Sequence, residues 1–191
     1  MGFQWSNEQR LITLSAVGEE NILTFEAADD VAEVILDDDG EIAQVNVSSK
    51  RKGTSIQADV KKPRQTLYRG GVNTYREVRH WLVPGEVALE MRLGQTIHSG
   101  KGSWSSTPHE FENYPEDDFE EVFFYQLEGG SAIHIGRGKW ADGTEVDTMW
   151  KAKDKTFGCV PMGYHPIVGE PGVRVRYIWC YLAKKDTWEK V

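Results

Sequence analysis

Glu121-Val122-Phe123-Phe124-Tyr125-Gln126-Leu127-Glu128-Gly129-Gly130-Ser131-Ala132-Ile133-His134-Ile135-Gly136 is the stretch on which the fold class turns. Branched and aromatic side chains crowd its first half, which suits a pleated surface better than a helix. Gly129-Gly130 marks a turn, and an apolar alternation resumes at Ala132, so the segment reads as two strands joined back to back. Glu121 opens the first strand, and its neighbour Glu120 must point to the opposite face, because strand side chains alternate.

The same signals recur on both sides of it. Downstream, Glu145 to Lys153, Lys155 to Val160 and Val173 to Leu182 are strand-like, the last alternating arginine with apolar residues. Upstream, Glu20 to Phe25 and Val31 to Leu36 precede Asp37-Asp38-Asp39-Gly40, a hairpin turn, after which Glu41 to Val47 and Thr54 to Val60 alternate again. Ala88 to Leu93 is read as a strand running into a Gly/Ser-rich loop from Gly94 to Ser103. Only Asn73 to Leu82 and the first dozen residues leave room for a helical turn. No repeat or low-complexity segment is present. Many short strands at close spacing predict an all-β sandwich or barrel. The expected division is a small β region over residues 1–68 packed against a barrel over 69–191.

Composition narrows the function classes. The chain has 191 residues, of which 39% are hydrophobic and 11% aromatic, enough for a core in one large domain or in one domain with a small companion. Its 22 basic and 30 acidic residues give a net charge of −8, which argues against nucleic acid or an anionic membrane as partner. A local pocket with its own arginines still accommodates an anionic small molecule. Cys159 and Cys180 do not form a disulfide framework and are expected as reduced thiols in buried strands. The first residues lack a basic and then apolar leader, and no run approaches the roughly 20 apolar residues of a membrane span. Met1-Gly2 with Ser6 matches a crude myristoylation pattern, discounted for want of a basic cluster or second lipid signal. The expected location is the cytoplasm.

Candidate chemistry gathers at three positions. His109 follows Pro108 in the loop before Glu121, and His165 sits in Pro161-Met162-Gly163-Tyr164-His165, where proline and glycine shape a tight turn. Two imidazoles and a carboxylate delivered from separate strands make a usual first shell for a divalent transition metal. Among five histidines and thirty acidic residues such a set also arises by chance, so spacing alone leaves both readings open. His134 faces either an interior or solvent, His98 is a weaker candidate, and His80 reads as structural. Glu116 to Glu120 reads as a solvated acidic loop. Gly136-Arg137-Gly138-Lys139 lacks the strand-turn-helix context of a phosphate loop.

These motifs resemble the cupin superfamily and, more narrowly, the uronate ketol-isomerases, which include 5-deoxyglucuronate isomerase and 5-dehydro-4-deoxyglucuronate isomerase. Arg69-Gly70-Gly71-Val72-Asn73-Thr74-Tyr75-Arg76-Glu77-Val78-Arg79, then Trp104-Ser105-Ser106-Thr107-Pro108-His109, then Glu121-Val122-Phe123-Phe124-Tyr125 with Pro161 to Pro166 carry the likeness, which spans about residues 69–183. It implies a double-stranded β-helix barrel, with the first of two cupin halves reduced to a few strands before Arg69. It implies His109, Glu121 and His165 as ligands to zinc, manganese or iron. The family's second ligand of a His-X-His pair falls on Phe111, which cannot bind metal, so Glu110 or Glu112 would have to supply an oxygen, or water would complete the shell.

The activity so implied is aldose–ketose isomerisation of a small sugar acid in carbohydrate or inositol breakdown. Glu110, Glu112 and Tyr164 are the candidate proton carriers by proximity in sequence. Arg76, Lys151, Arg174 and Arg176 are the candidate partners of the substrate carboxylate. Rival readings are a cupin that binds a metabolite without turnover and an iron-dependent dioxygenase, since two histidines and one glutamate also hold iron. By analogy of fold, self-association into a homo-oligomer is expected.

Overall fold

The computed structural model describes residues 1–50, 55–83, 90–101, 104–105 and 119–182; among these there is no helix. The all-β expectation holds. In chain order the strands are β1 (Gln4–Trp5), β2 (Leu14–Glu19), β3 (Ile22–Ala27), β4 (Asp30–Leu36), β5 (Ile42–Ser49), β6 (Ile56–Val60), β7 (Gln65–Arg69), β8 (Arg76–Leu82), β9 (Met91–Lys101), β10 (Trp104–Ser105), β11 (Glu120–Glu128), β12 (Ala132–Lys139), β13 (Glu145–Ala152), β14 (Thr156–Val160), β15 (Met162–Tyr164), β16 (Ile167–Gly169) and β17 (Arg174–Leu182).

They form three sheets. β2 to β6 make an antiparallel meander in sequence order; a seven-stranded sheet runs β1-β14-β11-β17-β9-β8-β7; and β10-β16-β12-β13, with β15 also paired to β12, makes the third. Within residues 1–68 the meander is a sheet of its own, whereas β1 and most of β7 belong to the seven-stranded sheet. The Asp37–Gly40 turn is built as its residues require. Gly40 takes a φ of 74°, open to glycine at no steric cost, and the Asp37 carboxylate accepts the amides of Asp39 and Glu41 at 3.0 and 2.8 Å.

The seven-stranded sheet is the middle layer, so its central strands are apolar on both faces. Val122 and Phe124 of β11 and Ile178 and Cys180 of β17 pack with Leu23, Phe25, Val34 and Val45 of the meander. The alternate residues Phe123, Tyr125, Tyr177, Trp179 and Tyr181 pack with Ala132, Ala152, Val160 and Ile167 inside the barrel closed by the third sheet. Cys159 and Cys180 are buried free thiols.

Two segments depart from the sequence reading. Arg76 to Leu82 is a strand rather than a helical turn, and the stretch from Gly94 to Lys101 continues β9 instead of forming a loop. The polar residues of both have partners in two layers. Arg79 and Glu77 pair with one another, and Arg79 reaches Glu41 of the meander, while Thr96 accepts the Trp179 indole N–H at 3.2 Å inside the barrel. Gly94 is required by close packing, because a Cβ there would lie 2.2 Å from the Trp179 ring.

Glu120 fastens the first layer to the second. It points toward the meander, where its carboxylate accepts the amides of Ile12, Thr13 and Leu14 at 2.8–3.0 Å. Three donors at the start of β2 are thereby satisfied by one buried side chain, 3% exposed. Glu120→Ala strips all three at once and is expected to lower unfolding free energy by about 3 kcal/mol, since hydrogen bonds to charged groups contribute about 1.5–3 kcal/mol each and the losses overlap. Glu120→Gln, which retains one acceptor oxygen, should lose less; urea unfolding of both variants checks the ranking.

Candidate metal centre

Glu121 lies on the barrel face of β11, beside Val160 of β14 and Tyr181 of β17. His165 follows β15. The two side chains converge in the interior, His165 Nε2 standing 3.4 Å from Glu121 Oε2, with His165 1% exposed and Glu121 4%.

The turn that delivers His165 explains the Pro-X-Gly-X-His pattern. Gly163 has a φ of 113°, and a Cβ there would approach the Arg137 carbonyl of β12 to 2.6 Å, so only glycine fits. In that conformation the Gly163 carbonyl lies 2.7 Å from His165 Nδ1. A carbonyl only accepts, so Nδ1 carries the proton and Nε2 presents its lone pair toward Glu121. A backbone carbonyl that fixes the imidazole tautomer in this way is the usual support of a metal-bound histidine.

When Glu121 is ionised, as metal binding requires, two acceptors face each other. Their separation exceeds the 2.7–2.9 Å of a charge-assisted hydrogen bond. It matches the edge of a tetrahedron with arms of about 2.1 Å, which is also about 3.4 Å. Glu121 Oε2 is buried without a hydrogen-bond partner among the described residues, a costly state unless a cation completes it. Imidazole nitrogen and carboxylate oxygen together suit zinc, manganese or iron, so the pair fits the implied metal. Among the described residues no third His, Cys, Asp or Glu joins them. His109, Glu110, Phe111 and Glu112, on which the remaining ligands and two proton carriers were expected, lie outside the described residues.

The other candidates separate clearly. Tyr164 turns away from the interior and packs under the Arg137 guanidinium, 5.6 Å from its ring centroid. Arg174 and Arg176 point out of the barrel, where Arg176 bonds the Asp39 carbonyl at 3.0 Å and lies 3.2 Å from Glu128. Lys151 is exposed and 3.8 Å from Glu170. Of the four cations read as carboxylate partners, only Arg76 is buried, on the barrel face of β8 across from His98.

One interior residue escaped sequence reasoning, and three histidines that the sequence had weighed find their places. Arg92, 4% exposed, stands on β9 opposite Tyr181, which itself stands opposite Glu121. Its guanidinium sits 6.0 Å from the Tyr181 ring centroid. His80 packs edge-on to Trp179 at 5.3 Å, and burial, then the charge of Arg92, hold its pKa down. His98 is tied to the Trp104 carbonyl. His134, whose facing the sequence left open, is fully buried between β11 and β13, accepting from Tyr125 and donating to the His165 carbonyl. Burial pushes its pKa down to about 3, so it is neutral. The signal that could have found it is its place in Ala132-Ile133-His134, where Ala132 sets the inward parity.

Opposite pH dependences follow. Burial raises the Glu121 carboxyl well above its ordinary 4.5, so its contribution to stability is complete below pH 4.5 and is lost as pH rises through the folded value. His134 is depressed from 6.5 to about 3, so its contribution is complete above pH 6.5 and is lost as pH falls toward 3. In metal-free protein, Glu121→Gln should match the wild type below pH 4.5 and exceed it increasingly at higher pH. A gain of about 1 kcal/mol corresponds to about 2–4 °C in Tm at this chain length. Zinc should raise the wild-type Tm and leave that of Glu121→Gln unmoved; differential scanning fluorimetry across pH, with and without zinc, reads both effects.

The KduI/IolB family profile matches residues 25–191. An IolB-like protein from Salmonella typhimurium LT2 superimposes with a TM-score of 0.59 at 14% identity, covering 92% of this chain and 73% of that one; at that identity the likeness establishes the fold. The cupin domain of Cnp3 from Schizosaccharomyces pombe gives a TM-score of 0.44 at 16% identity, over 78% of this chain and 92% of that one, too distant to carry an argument. No curated protein matches in sequence. The fold is that of a cupin, and with the profile covering all but the first strands, the chain belongs to the KduI/IolB family.

Proposed function

We propose that this chain is a divalent-metal-dependent aldose–ketose isomerase acting on a small sugar acid in carbohydrate or inositol breakdown. One observation carries the reading: Glu121 and His165 bring a carboxylate oxygen and an imidazole nitrogen to 3.4 Å inside the barrel, in a chain of the KduI/IolB family. A metal bound there would supply Lewis acidity toward the carbonyl and neighbouring hydroxyl oxygens of an open-chain sugar.

The remaining work falls to the chain itself. Arg76 and Arg92 place fixed positive charge on the interior wall, suited to a carboxylate at the far end of the substrate. By strand register Arg92 lies two strands from Glu121, about 10 Å between backbones, a spacing compatible with an extended sugar acid. Phe123 stacks on Tyr177 at 4.3 Å between centroids, with Trp179 and Tyr181 alongside. This buried aromatic wall holds water back, so charges inside act more strongly than in solvent. Self-association belongs to the same reading: Tyr68 and Tyr75 form an exposed stacked pair at the β7 edge of the seven-stranded sheet. So does a cytoplasmic location.

Protein loaded with zinc, manganese or iron(II) and given 5-deoxyglucuronate or glucuronate is expected to convert the C1 aldehyde into a C2 ketone, followed by carbon NMR. His165→Ala and Glu121→Gln should slow that conversion at least about 100-fold. Thermal stabilisation by the acid with no conversion under any metal would instead indicate a binding protein, and oxygen uptake with iron(II) an oxygenase.

A further inference from the structure

We propose that His134 is a positioning residue for the metal site, holding His165 in place through its main chain, with Tyr125 and Trp150 setting the direction in which His134 donates. The inference rests on the reading of Glu121 and His165 as ligands. It starts from an interruption. β12 pairs with β15 up to Tyr164 and with β16 from Ile167 onward, and His165-Pro166 lies between. Pro166 has no N–H, so regular pairing cannot run through this point. The His165 carbonyl takes its donor from a side chain instead, His134 Nε2 at 2.9 Å.

The hydrogens in this chain have only one arrangement. A carbonyl accepts, so His134 carries its proton on Nε2 and presents a lone pair on Nδ1. Nδ1 therefore accepts the Tyr125 hydroxyl at 2.8 Å. The Tyr125 oxygen accepts the Trp150 indole N–H at 3.2 Å, and an indole only donates. Donation thus runs from Trp150 to Tyr125, to His134, to the His165 carbonyl. In His165 itself Nδ1–H donates to the Gly163 carbonyl, and Nε2 stands 3.4 Å from Glu121 Oε2. Reversal at any link would break another.

Space has been made for this chain. A Cβ at Gly158 would lie 2.0 Å from the Tyr125 hydroxyl, and one at Gly136 would lie 2.8 Å from the Trp150 ring. The His134 and Trp150 rings lie 4.5 Å apart between centroids. His134 itself does not reach the metal position, since both its nitrogens are committed to Tyr125 and the His165 carbonyl.

The test uses His134→Leu, His134→Gln and Tyr125→Phe in the full chain. Zinc affinity is read by competition with a chromophoric chelator, and the His165 ring nitrogens by nitrogen-15 NMR of metal-free protein. His134→Leu should bind zinc about 10–100-fold more weakly, the usual consequence of losing an outer partner of a ligand, and its His165 should show mixed tautomers. His134→Gln, which keeps a donor toward the carbonyl, should recover most of that loss, and Tyr125→Phe should fall between. A folded His134→Leu with wild-type zinc affinity and a single Nδ1–H tautomer would overturn the proposal. If His134→Leu does not fold, unchanged affinity and unchanged His165 shifts in Tyr125→Phe would do so. Should the wild type take no zinc, the metal reading fails, while the His165 shifts still decide whether His134 positions it.

Discussion

β11 is buried on both faces, and its side chains alternate between two layers; everything distinctive about the molecule depends on that. Two adjacent glutamates leave it in opposite directions. Glu120 enters the meander interface, where three backbone amides satisfy it. Glu121 enters the barrel, where an imidazole lone pair faces it. A register slip by one residue would turn Val122 and Phe124 into the barrel and Phe123 and Tyr125 toward the meander, and would take Glu121 away from His165. The apolar residues on either side, Val122 and Phe124 outward and Phe123 and Tyr125 inward, fix the register because both faces must be filled.

The chemistry of the barrel follows from the cost of burying polar groups. A dry interior tolerates histidine when each nitrogen has a partner of the right sense, and His134 meets that condition. Glu121 does not meet it among the described protein groups, which makes it the point where the interior calls for a cation. The contrast between two neighbouring buried groups, one fully satisfied and one awaiting charge, separates support from ligand. It also accounts for the spread of roles among the arginines. Arg76 and Arg92 turn inward, while Arg79 and Arg176 bind Glu41 and knit the meander to the middle sheet.

Much of this was legible in the chain. Strand content, the Asp37–Gly40 hairpin, the opposed facing of Glu120 and Glu121 and the turn that throws His165 inward all rest on local rules of alternation and glycine conformation. What escaped was decided by partners far away in sequence. Gly94 to Lys101 looked like a loop because its polar residues and glycine find their reasons in Trp179 and Arg79 across the sheet. Arg174, Arg176 and Lys151 share a charge with Arg76, and only the third dimension shows which of them faces the barrel. Arg92 carried no local mark. His134 was ambiguous until Tyr125 and His165, nine and thirty-one residues away, supplied its hydrogen bonds.

Elemental analysis of the purified wild type beside His165→Ala is the most direct measurement of the central claim that Glu121 and His165 share a metal ion. The account predicts about one transition-metal ion per chain in the wild type and almost none in the variant, at equal folded fraction. A wild type that stays metal-free after exposure to zinc, manganese and iron(II), or a variant that retains the full complement, would contradict it.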